Sequence, residues 1–260
     1  MWVILSVSFF LILAVIYAFY FTVNTIQKQK KLSEMKNDFI NNMTHEFKTP
    51  ISTIQLACEA LSDKDMQTAE SKISFIDIIT QENKRLKGLV DTVLKTAILD
   101  KGQVKLKLET LNLLEVVYSI VSKFELIIQQ RNGKIKMENE ISEMIFVGDY
   151  QHLIAMFQNI IDNAIKYSKE NPNILITCLE TTDNFVFKIK DNGIGISKEN
   201  QSKIFDKLFR VPTGDLHDIK GFGLGLNYVK SIVELHNGNI SIESTKNQGS
   251  TFTIELPKNL

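Results

Sequence analysis

The hydrophobic and polar positions divide the chain into three stretches with different patterns. Residues 1–27 are uncharged and mostly apolar, and Lys28 is the first charged side chain. From residue 32 to about residue 100, apolar residues recur at steps of three and four, as in an amphipathic helix. From residue 104 onward, short alternating runs are separated by helical patterns. We therefore predict a transmembrane helix, a helical domain and an α/β domain, over residues 1–27, 28–103 and 104–260.

The first stretch is long enough to cross a lipid bilayer. Residues 2–23 would span roughly 33 Å as a helix, and the hydrocarbon core of a bilayer is about 30 Å thick. A cleavable signal peptide is the alternative, but its basic amino-terminal region is absent and the apolar run exceeds the usual ~7–15 residues. Lys28, Lys30 and Lys31 follow the run, and the positive-inside rule then places the rest in the cytoplasm. The expectation is a single-pass protein of the cell (inner) membrane, with no room for an external ligand-binding domain.

The second stretch predicts a pair of helices. One apolar stripe is followed, after a turn near residues 62–65, by a second stripe from Ile73 to Leu94. The first stripe consists of Phe39, Met43, Phe47, Ile51, Ile54, Cys58 and Leu61. Two such helices form an antiparallel hairpin with half-covered stripes, and a homodimeric four-helix bundle would bury them. The hairpin is expected to end near residues 100–102, because Gly102 can close a helix.

The third stretch has the pattern of an α/β sandwich, with one sheet covered by helices. Alternating runs predict strands at residues 134–138, 174–179, 185–190, 240–244 and 251–256. Helical patterns lie between them at residues 113–130, 151–168 and 224–236. His152 and His236 fall at or near helix ends, and we interpret both as structural residues.

Composition and charge exclude several classes of protein. Lys plus Arg and Asp plus Glu both number 30, and this neutrality argues against bulk electrostatic binding of nucleic acid. Apolar residues make up 44% of the chain, which is typical of a folded protein rather than a disordered tail. The cysteines are Cys58 and Cys178, without a CxxC pair, so neither a disulfide framework nor a zinc cluster is expected. Two isolated thiols fit a reducing compartment.

His45 lies on the polar face of the first predicted hairpin helix. A solvent-facing imidazole with a free ring nitrogen is a nucleophile near neutral pH. The carboxylate of Glu46 can accept the N–H of the other ring nitrogen, and Thr49 lies one turn further along the same face. Pro50 cannot donate to the carbonyl of Glu46 and is expected to bend the helix. The alternative is an ordinary surface histidine above a kink.

Four polar or glycine-rich patterns follow in the α/β stretch. In the first, Asn159, Asn163, Lys166 and Tyr167 share one side of a predicted helix. Amide oxygens can bind a hard cation, a lysine can contact phosphate, and a tyrosine offers a stacking face. Polar residues on one helix face are usually just solvated, so this set of residues alone is a weak signal.

The second pattern is Asp191 with Gly193 and Gly195, directly after a predicted strand. A carboxylate at the end of a strand can accept the exocyclic amine of adenine, and the glycines let the backbone pass close to the base. A plain Asn-Gly turn is the alternative for these residues.

The third and fourth patterns flank a loop over residues 211–220. Before the loop, aromatic residues precede Arg210, which could reach a phosphate beside a mobile lid. After the loop, Gly221, Gly223 and Gly225 open a predicted helix, where exposed amide N–H groups favour a polyphosphate. A GxGxG run alone is a weak signal.

In this order and spacing, the patterns resemble those of the sensor histidine kinases of two-component systems. The run His45-Glu46-Phe47-Lys48-Thr49-Pro50 is similar to the phospho-acceptor motif of the dimerisation and histidine-phosphotransfer domain. The later patterns resemble the family's asparagine box, first glycine box, phenylalanine box and second glycine box, and residues 249–252 resemble its last box. The resemblance covers roughly residues 32–260 and implies an ATP-binding domain of the GHKL type.

The resemblance implies a role for each matching residue. His45 would be the phosphorylated nucleophile, Glu46 its general base, and Thr49 would assist removal of phosphate from the partner. Asn163, helped by Asn159, would hold Mg²⁺ against ATP. Lys166 and Arg210 would contact phosphates, Tyr167 would lie along adenine, and Asp191 would bind its amino group. The other residues implied to form the pocket or lid are Gly193, Gly195, Phe209, Gly221, Gly223, Gly225 and Thr251.

The implied activity is autophosphorylation of His45 with Mg-ATP and transfer to an aspartate of a response regulator, with phosphatase activity toward that partner. A hinge near residues 100–103 would let the signal switch the ATP domain on and off His45. His217 and Asp218 in the lid depart from the family pattern, and the connector before His45 is too short for an input domain. The signal would then arrive within the bilayer or through a partner, or an upstream part is missing from the sequence. Alternatives are another ATPase of the same fold and a non-enzymatic dimerisation scaffold.

Overall fold

The computed structural model describes residues 1–63, 68–100, 105–168, 171–211 and 223–258. The chain divides into two compact units, Met1–His45 and Glu46–Leu260, which are described in turn. Several predicted features lie wholly or partly outside the described residues. These are the turn near residues 62–65, the helix end at Gly102 with the hinge at 100–103, the lid with His217 and Asp218, and Gly221.

The first unit consists of the amino-terminal part of helix α1, Trp2–Ser62. By length and composition this helix is long and apolar enough to cross a membrane, and its most apolar stretch is not buried in the protein. His45 is exposed. The predicted apolar helix and the first helix of the hairpin are therefore parts of one continuous helix.

The second unit begins with the end of α1 and with helix α2, Ala69–Asp100. Arg85 of α2 lies 3.3 Å from Glu46 of α1, and each residue is about four helical turns from the connection between the helices. The two helices therefore run antiparallel as a hairpin. Pro50 is buried, and α1 is helical on both sides of it. Apolar side chains stay exposed along the hairpin at Ile51, Leu56, Ile73, Ile76, Val90 and Leu94.

The rest of the second unit is an α/β sandwich. Its elements in chain order are β1 Glu109–Asn112, α3 Leu113–Gln130, β2 Lys134–Asn139, β3 Ile145–Gly148, α4 Tyr150–Lys166, β4 Asn173–Glu180, β5 Asn184–Lys190, α5 Lys198–Gln201, α6 Gly225–Leu235, β6 Asn239–Thr245 and β7 Gly249–Pro257.

The main sheet has the strand order β2-β4-β5-β7-β6. β2 and β4 are parallel, and the other neighbouring strands are antiparallel. All five strands, and the helices α3, α4 and α6, were predicted from the sequence to within two residues at each end. The sequence prediction missed the antiparallel ribbon of β1 and β3.

The core lies between the sheet and the helices α3, α4 and α6. Phe157 of α4 meets Phe187 of β5 edge to face, with ring centroids 5.0 Å apart. The alternation along β7 places Phe252, Ile254 and Leu256 on the same buried face of the sheet. This packing fixes which side of α4 is turned away from the core.

His152 and His236 lie at helix ends and have structural contacts there, as predicted from the sequence. His152 lies in the first turn of α4, where its backbone N–H donates to the carboxylate of the capping residue Asp149 over 3.1 Å. His236 follows the last residue of α6, and its ring is fully buried.

Candidate functional site

A cavity of about 450 Å³ lies beside the polar side of α4 in the second unit. The helix turns this side to the cavity because its apolar residues, including Met156 and Phe157, are buried in the core. The α4 residues that line the cavity are Asn159, Asp162, Asn163, Ala164 and Lys166, and Tyr167, directly after the helix, lines it as well. The polar face predicted from the sequence therefore borders one open space.

The amide of Asn159 is held by its own helix. Its Nδ2 donates to the backbone carbonyl of Ala155 over 2.8 Å, so its Oδ1 is the atom that can serve a ligand. Gly225 begins α6 directly against this oxygen, and a Cβ on Gly225 would lie 2.8 Å from it. A larger residue at position 225 would therefore displace the amide.

Asp191 extends from the end of β5 into the cavity and is only 7% exposed. Its Oδ1 accepts hydrogen bonds from the backbone N–H of Gly193, over 2.7 Å, and of Ser250, over 3.1 Å. Burial raises the pKa of the Asp191 carboxyl, and these two hydrogen bonds only partly offset that rise. Both bonds fall on Oδ1, so Oδ2 is the oxygen that can accept from a ligand.

Two glycines in left-handed backbone conformations shape the walls. Gly195 has a φ of +64°, and a Cβ there would overlap the carbonyl oxygen of Thr245. Gly223 has a φ of +68°, and a Cβ there would lie 2.9 Å from the carbonyl oxygen of Phe209. Both conformations favour glycine, which explains the residue type at each position.

Charged groups of both signs border the cavity on the α4 side. Nζ of Lys166 forms an ion pair with Asp162 over 2.5 Å, one turn earlier on the same helix. Arg210 is half-buried and also lines the cavity. An anionic ligand here would meet the cationic groups of Lys166 and Arg210.

The hairpin supplies another part of the lining. Glu46, Arg85 and Leu89 border the same cavity. The Glu46 side chain is 17% exposed, and its Oε2 lies 3.3 Å from Nη2 of Arg85. The sequence patterns did not indicate Arg85 or Leu89, because their place depends on the register between two helices.

The cavity brings together most of the residues predicted from the sequence. Those that line it are Glu46, Asn159, Asn163, Lys166, Tyr167, Asp191, Gly195, Phe209, Arg210, Gly223 and Gly225. Gly193 and Thr251 are not among its lining residues. Gly193 instead donates to Asp191, and Ser250, directly before Thr251, lines the cavity. Ser250 lies within the last predicted box, residues 249–252, although Thr251 was the residue of that box expected at the site.

Two parts of the chain match known families. Residues 35–102 match the His Kinase A (phospho-acceptor) domain, and residues 148–260 match the histidine kinase-, DNA gyrase B-, and HSP90-like ATPases. The chain is 43% identical over 242 residues to the sensor protein RprX of Bacteroides fragilis (strain YCH46), covering 92% of this chain and 47% of RprX. It is 31% identical over 240 residues to the sensor protein SrrB of Staphylococcus aureus (strain MRSA252), covering 91% of this chain and 40% of SrrB.

Solved structures share the fold. Full-length ShkA in complex with AMPPNP aligns with a TM-score of 0.63 and 20% identity, over 85% of this chain and 45% of that chain. Histidine kinase ThkA in complex with the response regulator protein TrrA aligns with a TM-score of 0.60 and 24% identity, over 90% and 65% of the two chains. At these identities, the likeness establishes the fold alone.

The chain therefore combines a phospho-acceptor domain with an ATP-binding domain of this type. The chain belongs to the sensor histidine kinases of two-component systems. It spans less than half the length of the curated relatives named above.

Proposed function

We propose that this protein is a membrane-anchored sensor kinase that phosphorylates its own His45 with Mg-ATP. It then passes the phosphoryl group to an aspartate of a response regulator, and it removes phosphate from the same partner. The observation that carries the proposal is the single cavity that joins the amide of Asn159, the carboxylate of Asp191 and the glycine turns. A concave site with a few convergent polar groups is typical of nucleotide binding.

The cavity has suitable groups for both ends of ATP. In this proposal, the exocyclic amine of adenine donates to Oδ2 of Asp191, and Tyr167 lies along the base. The phosphates lie near Lys166, Arg210 and the amino-terminal end of α6, where backbone N–H groups favour an anion. The AMPPNP bound by ShkA, which has the same fold, supports a nucleotide at such a site.

The amide oxygens of Asn159 and Asn163 would hold Mg²⁺. The described residues contain no group of three or more His, Cys, Asp or Glu that could bind a metal. A cation held by two amides would take its other ligands from phosphate and water, as Mg²⁺ commonly does. When bound, it would offset the charge of the triphosphate.

Transfer to His45 would be an in-line displacement. The lone pair of one ring nitrogen of the neutral imidazole forms a bond to the γ-phosphorus, while the bond from that phosphorus to the bridging oxygen breaks. The electron pair of the broken bond leaves with ADP. The carboxylate of Glu46 accepts the proton of the other ring nitrogen, which removes the positive charge that develops on the ring.

A receiver aspartate would then attack the phosphohistidine, which is reachable because His45 is exposed. Thr49, exposed one turn later, would assist the hydrolysis of the aspartyl phosphate. The complex of ThkA with a response regulator supports this class of partner for the fold.

Membrane attachment and dimerisation complete the proposal. The uncharged start of α1 would span the bilayer, which would leave the lysines after residue 27 on the cytoplasmic side. The exposed apolar residues of the hairpin, such as Ile51, Ile73 and Leu94, would be covered in a four-helix bundle formed with a second copy.

The proposal is tested by incubating the full chain, in detergent or a membrane mimetic, with γ-labelled ATP and Mg²⁺. We expect acid-labile, base-stable label on the wild type and no label on His45→Gln. His152→Gln, which removes a different imidazole, is the matched control and should keep the label. Hydrolysis of ATP without label would favour another ATPase of this fold, and failure to bind ATP would favour a scaffold.

A further inference from the structure

An ion pair joins the two hairpin helices at the residue that follows His45. Nη2 of Arg85 on α2 lies 3.3 Å from Oε2 of Glu46 on α1. Nη1 of the same guanidinium lies 3.6 Å from Oε2 of Glu82, one turn earlier on α2. One guanidinium is therefore shared by two carboxylates from different helices.

The pair is largely withdrawn from solvent. The side chains of Glu46, Glu82 and Arg85 are 17%, 23% and 31% exposed. A carboxylate in such surroundings depends on its cation, because an unpaired charge is poorly solvated there. Without Arg85, the carboxylate of Glu46 is expected to turn toward water and leave its place.

The same pair borders the cavity. Glu46 and Arg85 line it together with Asn159, Asn163 and Lys166. A base that serves phosphoryl transfer has to be placed accurately, since an error of about 1 Å can cost roughly 100-fold in rate. An arginine suits this task because its planar N–H groups can hold two carboxylates in fixed directions.

We propose that Arg85 is a positioning residue for phosphoryl transfer, which holds the carboxylate of Glu46 at the rim of the nucleotide cavity and bridges it to Glu82. This inference rests on the proposed function, in which Glu46 is the base for His45. Arg85 acts through Glu46 and not as a phosphate ligand. Its guanidinium already faces two carboxylates, and the three side chains together carry a negative charge that repels a triphosphate.

A double-mutant cycle in the full chain tests this role. The variants are Arg85→Met, Glu46→Gln and their combination, with kcat for autophosphorylation and KM for ATP measured for each. We expect Arg85→Met to lower kcat about tenfold or more with KM changed less than about twofold, because a general base contributes roughly 100-fold or more. In the Glu46→Gln background, Arg85→Met should change kcat less than about twofold.

Three further variants sharpen the result. Arg85→Lys should recover part of the rate, since lysine keeps the charge but lacks the planar arrangement of donors. Lys87→Gln removes a positive charge from an exposed position of the same helix, and this matched control should keep the wild-type rate. Glu82→Gln should lower kcat more mildly than Arg85→Met, and should have no further effect once Arg85 is replaced.

Each alternative outcome contradicts the inference in a recognisable way. A raised KM with an unchanged kcat for Arg85→Met would identify a phosphate ligand instead. Equal losses with and without the Glu46 carboxylate would show that Arg85 acts independently of it. If Arg85→Met lost the circular-dichroism signal of the folded protein or its affinity for ATP, the role of Arg85 would be judged from Glu82→Gln and Arg85→Lys. The same changes in kcat and KM would be expected or excluded for these two variants. A wild type that binds ATP without gaining label would refute the proposed function itself. A labelled wild type in which the effects of Arg85→Met and Glu46→Gln on kcat simply add would refute this inference alone.

Discussion

The backbone N–H of Asp149 donates to Nε2 of the buried His236 ring over 3.0 Å. The other ring nitrogen, Nδ1, lies 2.8 Å from the carbonyl oxygen of Ile232 and therefore donates to it. These two bonds need a neutral imidazole with its proton on Nδ1. The neutral ring thus joins the start of α4 to the end of α6.

The carboxylate of Asp149 extends this connection. It accepts from the backbone N–H of Lys107 over 2.8 Å and of His152 over 3.1 Å. Burial by itself raises the pKa of the Asp149 carboxyl, but these hydrogen bonds and the nearby His152 outweigh burial, and the pKa is lowered. The chain before β1, the start of α4 and the end of α6 therefore meet at one buried polar cluster.

We predict that His236 makes the stability of the α/β domain fall in mild acid. Burial lowers the pKa of His236 below its ordinary value of 6.5. Its contribution is therefore complete above the pKa of the unfolded chain and is lost as the pH falls through about 6.5 toward the folded value. The measurement is the free energy of unfolding in denaturant between about pH 7.5 and 5.

His236→Gln is the variant that isolates this effect. It should lose about 1–3 kcal/mol at neutral pH, because one buried group is left without its partner, and its stability should change less across this pH range. The lowered pKa of Asp149 affects stability only at more acid pH, so the two contributions are separable. The same pH dependence in the wild type and in His236→Gln would contradict the assignment.

We predict that Asp191→Asn weakens ATP binding by roughly 10- to 100-fold with little change in fold. The amide can keep the two hydrogen bonds from Gly193 and Ser250 through its oxygen. Its NH₂ group then stands where Oδ2 was, and a donor there opposes the exocyclic amine of adenine. Titration calorimetry with ATP measures the change.

The control for Asp191→Asn is Asp183→Asn, which makes the same replacement at an exposed position of the β4–β5 turn. This variant should bind ATP as the wild type does. If Asp191→Asn also bound ATP with unchanged affinity, adenine recognition would have to be assigned to other groups.

We predict that Gly225→Ala weakens ATP binding mainly in the presence of Mg²⁺. The added Cβ would lie 2.8 Å from Oδ1 of Asn159 and displace the proposed metal ligand. The ratio of the ATP affinities with Mg²⁺ and with chelator should therefore shrink. Gly88→Ala in α2 is the control, because a Cβ there meets no atom within 4 Å. An equal loss under both conditions would instead point to a general distortion of the pocket.

The sequence predicted the main sheet well and the ribbon of β1 and β3 not at all. The runs that form β4 and β7 alternate over eight and nine residues, which is long enough to show a period of two. β1 and β3 have four residues each, and they pair across a helix and another strand. So short a run has no readable period, and its pairing depends on the finished fold.

The residues of the candidate site show the same contrast between positions that local sequence predicts and contacts that depend on the whole fold. Asn159, Asn163 and Lys166 share a helix, so helical geometry alone placed them on one face. Arg85 and Glu46 meet only because two separate helices pack at a particular register, and neither helix has a pattern that encodes it. Long-range partners of this kind had to come from the structure.

The two thiols provide the last prediction, which concerns dimerisation. Cys178 is buried, and burial raises the pKa of its thiol to about 12, so it should not react in the folded protein. Cys58 is exposed in the single chain, on the apolar stripe that a second copy would cover. We therefore expect one thiol to react with iodoacetamide near pH 8 in dilute protein, and its rate to fall as the protein concentration rises.

The matched variant moves the reactive thiol by one position, in the double change Cys58→Ser and Glu59→Cys. Position 59 is exposed and lies about 100° around the helix from position 58, away from the stripe. Its labelling rate should therefore depend much less on protein concentration. Denaturant should expose Cys178 and add a second reactive thiol in both proteins. A Cys58 rate that stays constant from the dilute to the concentrated protein would mean that this stripe is not the surface covered by a second copy.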